Sequence, residues 1–354
     1  MNLNTSFEAL TRIGFNQRQV EALQGLQAGG FVGRVVAVHR DRFEVDDGES
    51  RFSAMLAPPL ASRQRDGSDT TVVGDWCLWE HPSSGTPLIV ALAPRETLIA
   101  RGRDNGERQA LVSNVDTALL VMGLDDNFNP NRLERFLALV RGARIFPVVV
   151  LSKADLCSDA DARLATIREL AGSGTPVFAG DVRDPALCAQ LAPWLERGQT
   201  LVLLGSSGVG KSTLANALLG DQSQATGAVS ELGARGRHTT VARRLLRLHG
   251  GACLIDTPGL RELQLTGAEQ LQESGSDEIH ALAAGCRYSD CRHLSEPGCA
   301  VRDKVDPARL ENFRKLTAEV ELAQRTQLQK RDKKQQDKVV QKSLRKLYKD
   351  RDEK

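Results

Sequence analysis

Hydrophobic residues recur at helical intervals near the start of the chain. Leu3, Phe7, Leu10 and Ile13 precede Gly14, Val20, Leu23 and Leu26 follow it, and Gly29-Gly30 closes the pattern. Residues 1–30 are therefore expected to be a helical lead-in. The pattern then shortens to β-favouring runs at residues 31–38, 42–47, 51–56, 72–80 and 87–92, punctuated by Asp47-Gly48, Pro58-Pro59 and a polar stretch. Five strands in so short a span predict a small β-barrel over residues 31–97, and an oligonucleotide-binding (OB) fold is the commonest barrel of that size. Residues 98–110 are polar and arginine-bearing and read as a linker.

From residue 115 apolar strand runs alternate with amphipathic helical runs as far as residue 220, which predicts a mostly parallel sheet covered by helices. We assign 111–268 to this α/β domain, 269–328 to a helical, cysteine-bearing domain, and 329–354 to a tail that loses apolar periodicity near Lys330. The expected whole is multidomain, α/β plus β.

Composition refines this picture in three places. The formal net charge is only +2, yet from Arg325 onward twelve Lys and Arg stand against five Asp and Glu. That asymmetry points to nucleic acid or an acidic surface, with a merely solvated helix as the plain alternative. No apolar run approaches the roughly 18 residues of a membrane helix, and the first residues carry no secretory pattern, so the reading is a cytoplasmic chain with no membrane partner. Seven cysteines do not make a disulfide scaffold at this length. Cys77, Cys157, Cys188 and Cys253 lie in apolar surroundings and are expected in the core, whereas Cys286, Cys291 and Cys299 crowd one window with His293.

Three motifs carry chemistry. Gly205-Ser206-Ser207-Gly208-Val209-Gly210-Lys211-Ser212, followed by Thr213, fits G-x-x-x-x-G-K-[ST] between a strand and a helix. Glycines let the backbone N–H groups turn inward onto phosphates, Lys211 reaches the β and γ phosphates, and Ser212 can ligate magnesium. A second strand ends in Asp256-Thr257-Pro258-Gly259, where Asp256 can hold magnesium through water and the Gly259 N–H can meet the γ-phosphate. A third ends in Ser152-Lys153-Ala154-Asp155, similar to the [N/T]-K-x-D element that reads guanine. Its aspartate accepts from the ring N–H and exocyclic amine, and adenine offers an acceptor where guanine has that N–H. Ser152 is shorter than the usual Asn, and Phe178-Ala179-Gly180-Asp181 stands where a Ser-Ala base loop is usual. Finally, Cys286, Cys291, His293 and Cys299 form C-x4-C-x-H-x5-C, a donor set suited to one tetrahedral, structural zinc.

The base-reading motif precedes the phosphate loop, which precedes the Asp256 motif, so the domain resembles a circularly permuted GTPase. With a barrel before it and a Cys/His cluster after it, the chain resembles the ribosome small-subunit-dependent GTPase A family. Gly236-Arg237-His238-Thr239-Thr240 resembles that family's first switch. The resemblance implies Thr239 or Thr240 on magnesium and His238 as a group that helps to position the attacking water; Leu260 stands where many GTPases carry Gln and cannot orient water, so the catalytic group comes either from His238 or from the partner. It further implies a monomeric GTP hydrolase using Mg2+, partnered by the small ribosomal subunit and its rRNA, which assists that subunit's late maturation. The alternatives are a nucleotide-gated RNA-binding module with little turnover and an ATP-using enzyme.

Overall fold

The computed structural model describes residues 6–26, 29–65, 70–102, 108–220, 243–256, 277–321 and 325. Strands β1 (Phe31–Val38), β2 (Phe43–Asp46), β3 (Arg51–Leu56), β4 (Trp76–Glu80) and β5 (Leu88–Leu92) pair in the order β1-β2-β3-β5-β4, and β4 returns to β1. The ring closes because inward residues alternate: Val35, Phe43, Val45, Ala54, Cys77, Trp79 and Ile89 fill it. Helices α1 (Phe7–Thr11) and α2 (Gln17–Gln24) cover one end, packing Leu10, Ile13, Phe15 and Leu23 on Trp76 and Leu78. A short helix α3 (Pro58–Arg65) joins β3 to β4.

Residues 98–110, expected as a linker, instead belong largely to an antiparallel ribbon of β6 (Leu98–Gly102) and β7 (Arg108–Ser113). Ile99, Leu111 and Val112 are buried in the core of the next domain. Their short apolar alternation is diluted by arginines, so charge density hid the strands.

The α/β domain runs β8 (Thr117–Gly123), α4 (Pro130–Gly142), β9 (Phe146–Ser152), α5 (Ala160–Ala171), β10 (Val177–Gly180), α6 (Pro185–Gln190), β11 (Thr200–Leu204), α7 (Lys211–Leu219), β12 (Arg244–Arg247) and β13 (Cys253–Asp256). The strands lie in the order β10-β9-β8-β11-β13-β12, parallel except for β12. Both faces are buried, as a parallel sheet requires. Ala118, Leu120 and Met122 of β8 pack with α4 and α5, while Leu119 and Val121 pack with α6 and α7. Cys77 and Cys253 are buried as expected, but Cys157 and Cys188 are half-buried at the edges of the two clusters.

Barrel and α/β domain share one sheet, because β12 pairs with β1 through Arg244 and Ala37. Two buried charges lock the junction. Asp46, fully buried, accepts from Arg247 at 2.8 and 2.9 Å and from Arg51 at 2.8 Å. Arg34, also fully buried, donates to Ile13 O at 2.6 Å, Thr200 Oγ1 at 2.8 Å and Asn114 O at 2.9 Å. Breaking a buried pair such as Asp46–Arg247 by removing one partner typically costs about 3–5 kcal/mol, because a buried charge is left uncompensated.

Beyond the sheet, helix Asp277–Ala283 and a helix over residues 307–321 enclose Ile279, Val301, Val305, Leu310 and Phe313. The second helix lies on α4: Leu316 and Val320 join the core there, and Arg135 pairs with Glu319 at 2.7 and 2.8 Å. Glu134, 3% exposed, accepts from Asn312 and faces Arg309 at 3.7 Å. Burial pushes its pKa above the ordinary 4.5. The folded state thus holds this proton more tightly than the unfolded chain. That contribution is full below the ordinary glutamate pKa and is lost as pH rises to the raised folded value. Glu134→Gln is expected to melt progressively closer to, or above, the wild type as pH rises from the acid range to neutrality. A pH-independent difference in Tm would contradict this.

Candidate active site and metal centre

The phosphate loop follows β11, at the carboxyl edge of the sheet where open α/β folds bind ligands. Gly205 has φ 147°, and a Cβ there would sit 2.1 Å from the Val121 carbonyl oxygen, so only glycine fits. Gly210, at φ 95°, turns the chain into α7 with Lys211 as its first residue. Lys211 Nζ arches back over the loop, donating to Gly205 O at 2.8 Å and to Ser206 O. Ser207, Gly208, Ser212 and Thr213 are exposed around it and Val209 is buried. Asp256 ends β13, which is paired parallel to β11, and is half-buried.

The strand that ends in Ser152-Lys153-Ala154-Asp155 reaches the same place. Ser152 ends β9 fully buried, and its Oγ donates to Val209 O at 2.6 Å. A short hydroxyl thus ties this strand to the phosphate loop. Lys153 takes a left-handed conformation (φ 61°), and its Nζ meets Asp125 Oδ2 at 2.5 Å. Asp125 in turn accepts from Asn127 N and Nδ2, each at 3.1 Å. Desolvation raises the Asp125 pKa, but the Lys153 and Asn127 hydrogen bonds outweigh it and hold the carboxyl below its usual value. Asp155 is exposed in a 3-10 turn, Ala154–Leu156. Gly180 of β10 is in register with Ser152, and Asp181 just beyond it accepts from Arg183 at 2.7–3.0 Å. Val182 and Ser152 both approach Gly210.

His238, Thr239, Thr240 and Gly259, with Leu260 and the basic tail over residues 329–354, lie outside the described residues. Two cations and a carboxylate that sequence reasoning missed stand at the rim: Arg132 in the first turn of α4, Arg183, and Asp125. Each is an ordinary loop or helix residue in sequence, and only its fold neighbours mark it.

The fourth cluster lies in the C-terminal module. Cys286, Cys291, His293 and Cys299 offer ligand atoms within 4.8 Å of one another. His293 Nδ1 stands 3.7, 3.5 and 3.5 Å from the sulfurs of Cys286, Cys291 and Cys299. Tetrahedral zinc, with Zn–S about 2.3 Å and Zn–N about 2.0–2.1 Å, places each sulfur about 3.6 Å from the nitrogen, so the residues fit that ion. Burial holds the His293 pKa below its usual value, which favours the neutral, ligating ring. The backbone N–H groups of Ala300 and Arg302 point at the sulfurs of Cys286 and Cys299 at 3.3 and 3.4 Å, the outer contacts that steady thiolate ligands.

A family model described as RsgA GTPase matches residues 92–266. A second, described as ABC transporter, matches residues 190–348 and overlaps the first across the phosphate loop. Curated proteins from Xanthomonas oryzae pv. oryzae and Xanthomonas campestris pv. campestris, each named small ribosomal subunit biogenesis GTPase RsgA, are 47% identical to this chain over 295 residues. The matches span 81% of the chain and 80% of each relative. The chain belongs to the RsgA GTPase family. The crystal structure of YjeQ from Thermotoga maritima superposes with a TM-score of 0.61 at 26% identity, covering 82% of this chain and 98% of that one. YloQ, a circularly permuted GTPase, gives 0.55 at 22% identity, over 84% and 95%, and speaks to the fold. The permuted order of the RsgA G domain therefore holds here, with its barrel before and its Cys3His cluster after.

Proposed function

We propose that the protein is a GTP hydrolase that binds the small ribosomal subunit and assists its late maturation, with turnover stimulated by the subunit. The observation that carries the nucleotide part is the Ser152 Oγ–Val209 O hydrogen bond, which makes the base-reading strand and the phosphate loop one rigid unit. The curated relatives' names supply the subunit.

Asp155 reads the guanine edge, the Lys153 stem lies over the base with Asp125 holding its ammonium, and the loop from Gly205 to Gly210 cradles the phosphates with Lys211. Ser212 and Asp256, with Thr239 or Thr240, would hold a magnesium ion, which would supply positive charge against the phosphates, and the Gly259 N–H would donate to the γ-phosphate. His238 positions a water. Its oxygen bonds the γ-phosphorus as the bond from that phosphorus to the β–γ bridging oxygen breaks. The electron pair leaves on GDP, and the water's proton passes to the released phosphate or to solvent. Cys286, Cys291, His293 and Cys299 would hold one zinc with four protein ligands, which gives the ion a structural part. The barrel, the zinc module and the basic tail contact rRNA, the tail through salt-dependent phosphate contacts. The protein works as a cytoplasmic monomer, with domains divided near residues 30, 97, 268 and 328.

Asp155→Asn is expected to weaken GDP binding by about a hundredfold or more, since each hydrogen bond to a charged group is worth about 1.5–3 kcal/mol. A fluorescent-GDP titration measures this, and unchanged affinity would remove Asp155 from the base site. The whole reading is tested by co-sedimentation with purified ribosomal subunits. Retention on small subunits with a non-hydrolysable GTP analogue and release with GDP is expected. Equal binding to both subunits, indifferent to nucleotide, would overturn it.

A further inference from the structure

We propose that Arg132 is a further catalytic residue, a cation supplied by the chain itself to the phosphoryl group being transferred. The inference rests on the hydrolase reading above.

Arg132 sits in the first turn of α4, a helix started by the Asn129 side chain, which accepts from Arg132 N at 2.9 Å, and by Pro130. The helix is pinned to the sheet by buried Leu133, Phe136, Leu137 and Val140, and to the helix over residues 307–321 by Arg135–Glu319. Its start is therefore fixed at the carboxyl edge of β8, the strand next to β11, from which the phosphate loop springs. From there the Arg132 guanidinium crosses to the loop and donates through Nη1 to Ser206 Oγ. Among the described residues it makes no other hydrogen bond and has no carboxylate partner.

Lys211 Nζ donates to the carbonyl oxygen of the same Ser206. Two cationic side chains from different helices thus converge on one residue of the loop. Like charges gathered this way repel unless an anion sits between them, and the anion this loop is built for is a polyphosphate. A guanidinium has five N–H donors in a planar fork, and one of them serves Ser206. The rest are free to meet phosphate oxygens. The need is visible in the sequence: Leu260 follows Gly259 where many GTPases carry a water-orienting Gln. His238 can position water, but it does not offer a bidentate cation to the charge that spreads over the equatorial oxygens as the γ-phosphate departs. Arg132 does, and because it is exposed its removal leaves the core intact.

The test uses the full chain with zinc bound and purified small ribosomal subunits, comparing wild type, Arg132→Ala and Arg132→Lys. Arg132→Ala should lower subunit-stimulated kcat by about a hundredfold, the loss typical of one preorganised donor at a developing charge, with GDP affinity, subunit binding and Tm unchanged. Tightening of GDP binding by aluminium fluoride, which mimics the departing phosphoryl group, should be lost with it. Arg132→Lys should recover part of both, since it restores the charge without the fork. Unchanged kcat and aluminium fluoride response in Arg132→Ala would overturn the inference while leaving the hydrolase reading standing. A loss of GDP affinity equal to the loss of turnover would also overturn it, because Arg132 would then act on the ground state. An inactive wild type would instead overturn the hydrolase reading and this inference together.

Discussion

Lys211→Ala is expected to reduce GTP turnover by about 10²–10³-fold and to weaken GTP binding, because it removes the ammonium arched across the phosphate loop. The loss should appear in single-turnover hydrolysis and in nucleotide titration, with the melting temperature of the nucleotide-free protein nearly unchanged. Lys211 is only half-buried at the start of α7, whose packing rests on Leu214, Leu218 and Leu219. Turnover at the wild-type rate in this variant would remove the loop from the catalytic account altogether.

Removal of zinc should have an effect of similar size on a different part of the molecule. The C-terminal module has a small core of Ile279, Val301, Val305, Leu310 and Phe313, too little to order its long ligand loop alone. A structural zinc in a small module supplies free energy on the order of 10 kcal/mol to folding. In strong chelator, or in His293→Ala, the segment over residues 284–306 should become cleavable by protease, with one zinc released per chain from the wild type. GDP affinity should stay within about twofold, because the phosphate loop packs through Val209 in a cluster separate from the module's own core. A protease-resistant module after complete zinc removal would contradict the structural role of the ion.

The phosphate loop was legible in sequence because its chemistry is local. The glycines that permit positive φ, the lysine and the serine lie within one strand–turn–helix, and the structure places them so. The Cys3His cluster was legible for the same reason, all four side chains falling within 14 residues of sequence. Ser152 was legible only in part. Its length argued against the usual contacts, yet full burial brings its hydroxyl onto Val209 O, a bond to a residue 57 positions away. The β6–β7 ribbon was read as a linker because its short apolar runs are separated by the polar, charged stretch from Arg101 to Gln109, and their burial depends on the neighbouring core.

What sequence could not reveal are ties between distant segments. Arg34 is one charge in an apolar strand, and the carbonyls and hydroxyl that accept from it lie up to 166 residues away. Arg132 reaches Ser206 across 74 residues, and Glu134 meets Asn312 across 178. These last two residues lie on the first turns of α4, which connects the phosphate loop to the helix that follows the zinc ligands. A partner gripping the zinc module would therefore pull on the element that carries Arg132, a physical route by which subunit binding could raise turnover.

The measurement that tests the central claim most directly is steady-state GTP hydrolysis with and without purified small ribosomal subunits, with large subunits and ATP as controls. The account predicts slow hydrolysis alone, strong stimulation by small subunits only, and no turnover of ATP. Hydrolysis that is flat across all these conditions, despite GDP binding, would contradict it and leave a nucleotide-gated RNA-binding protein in its place.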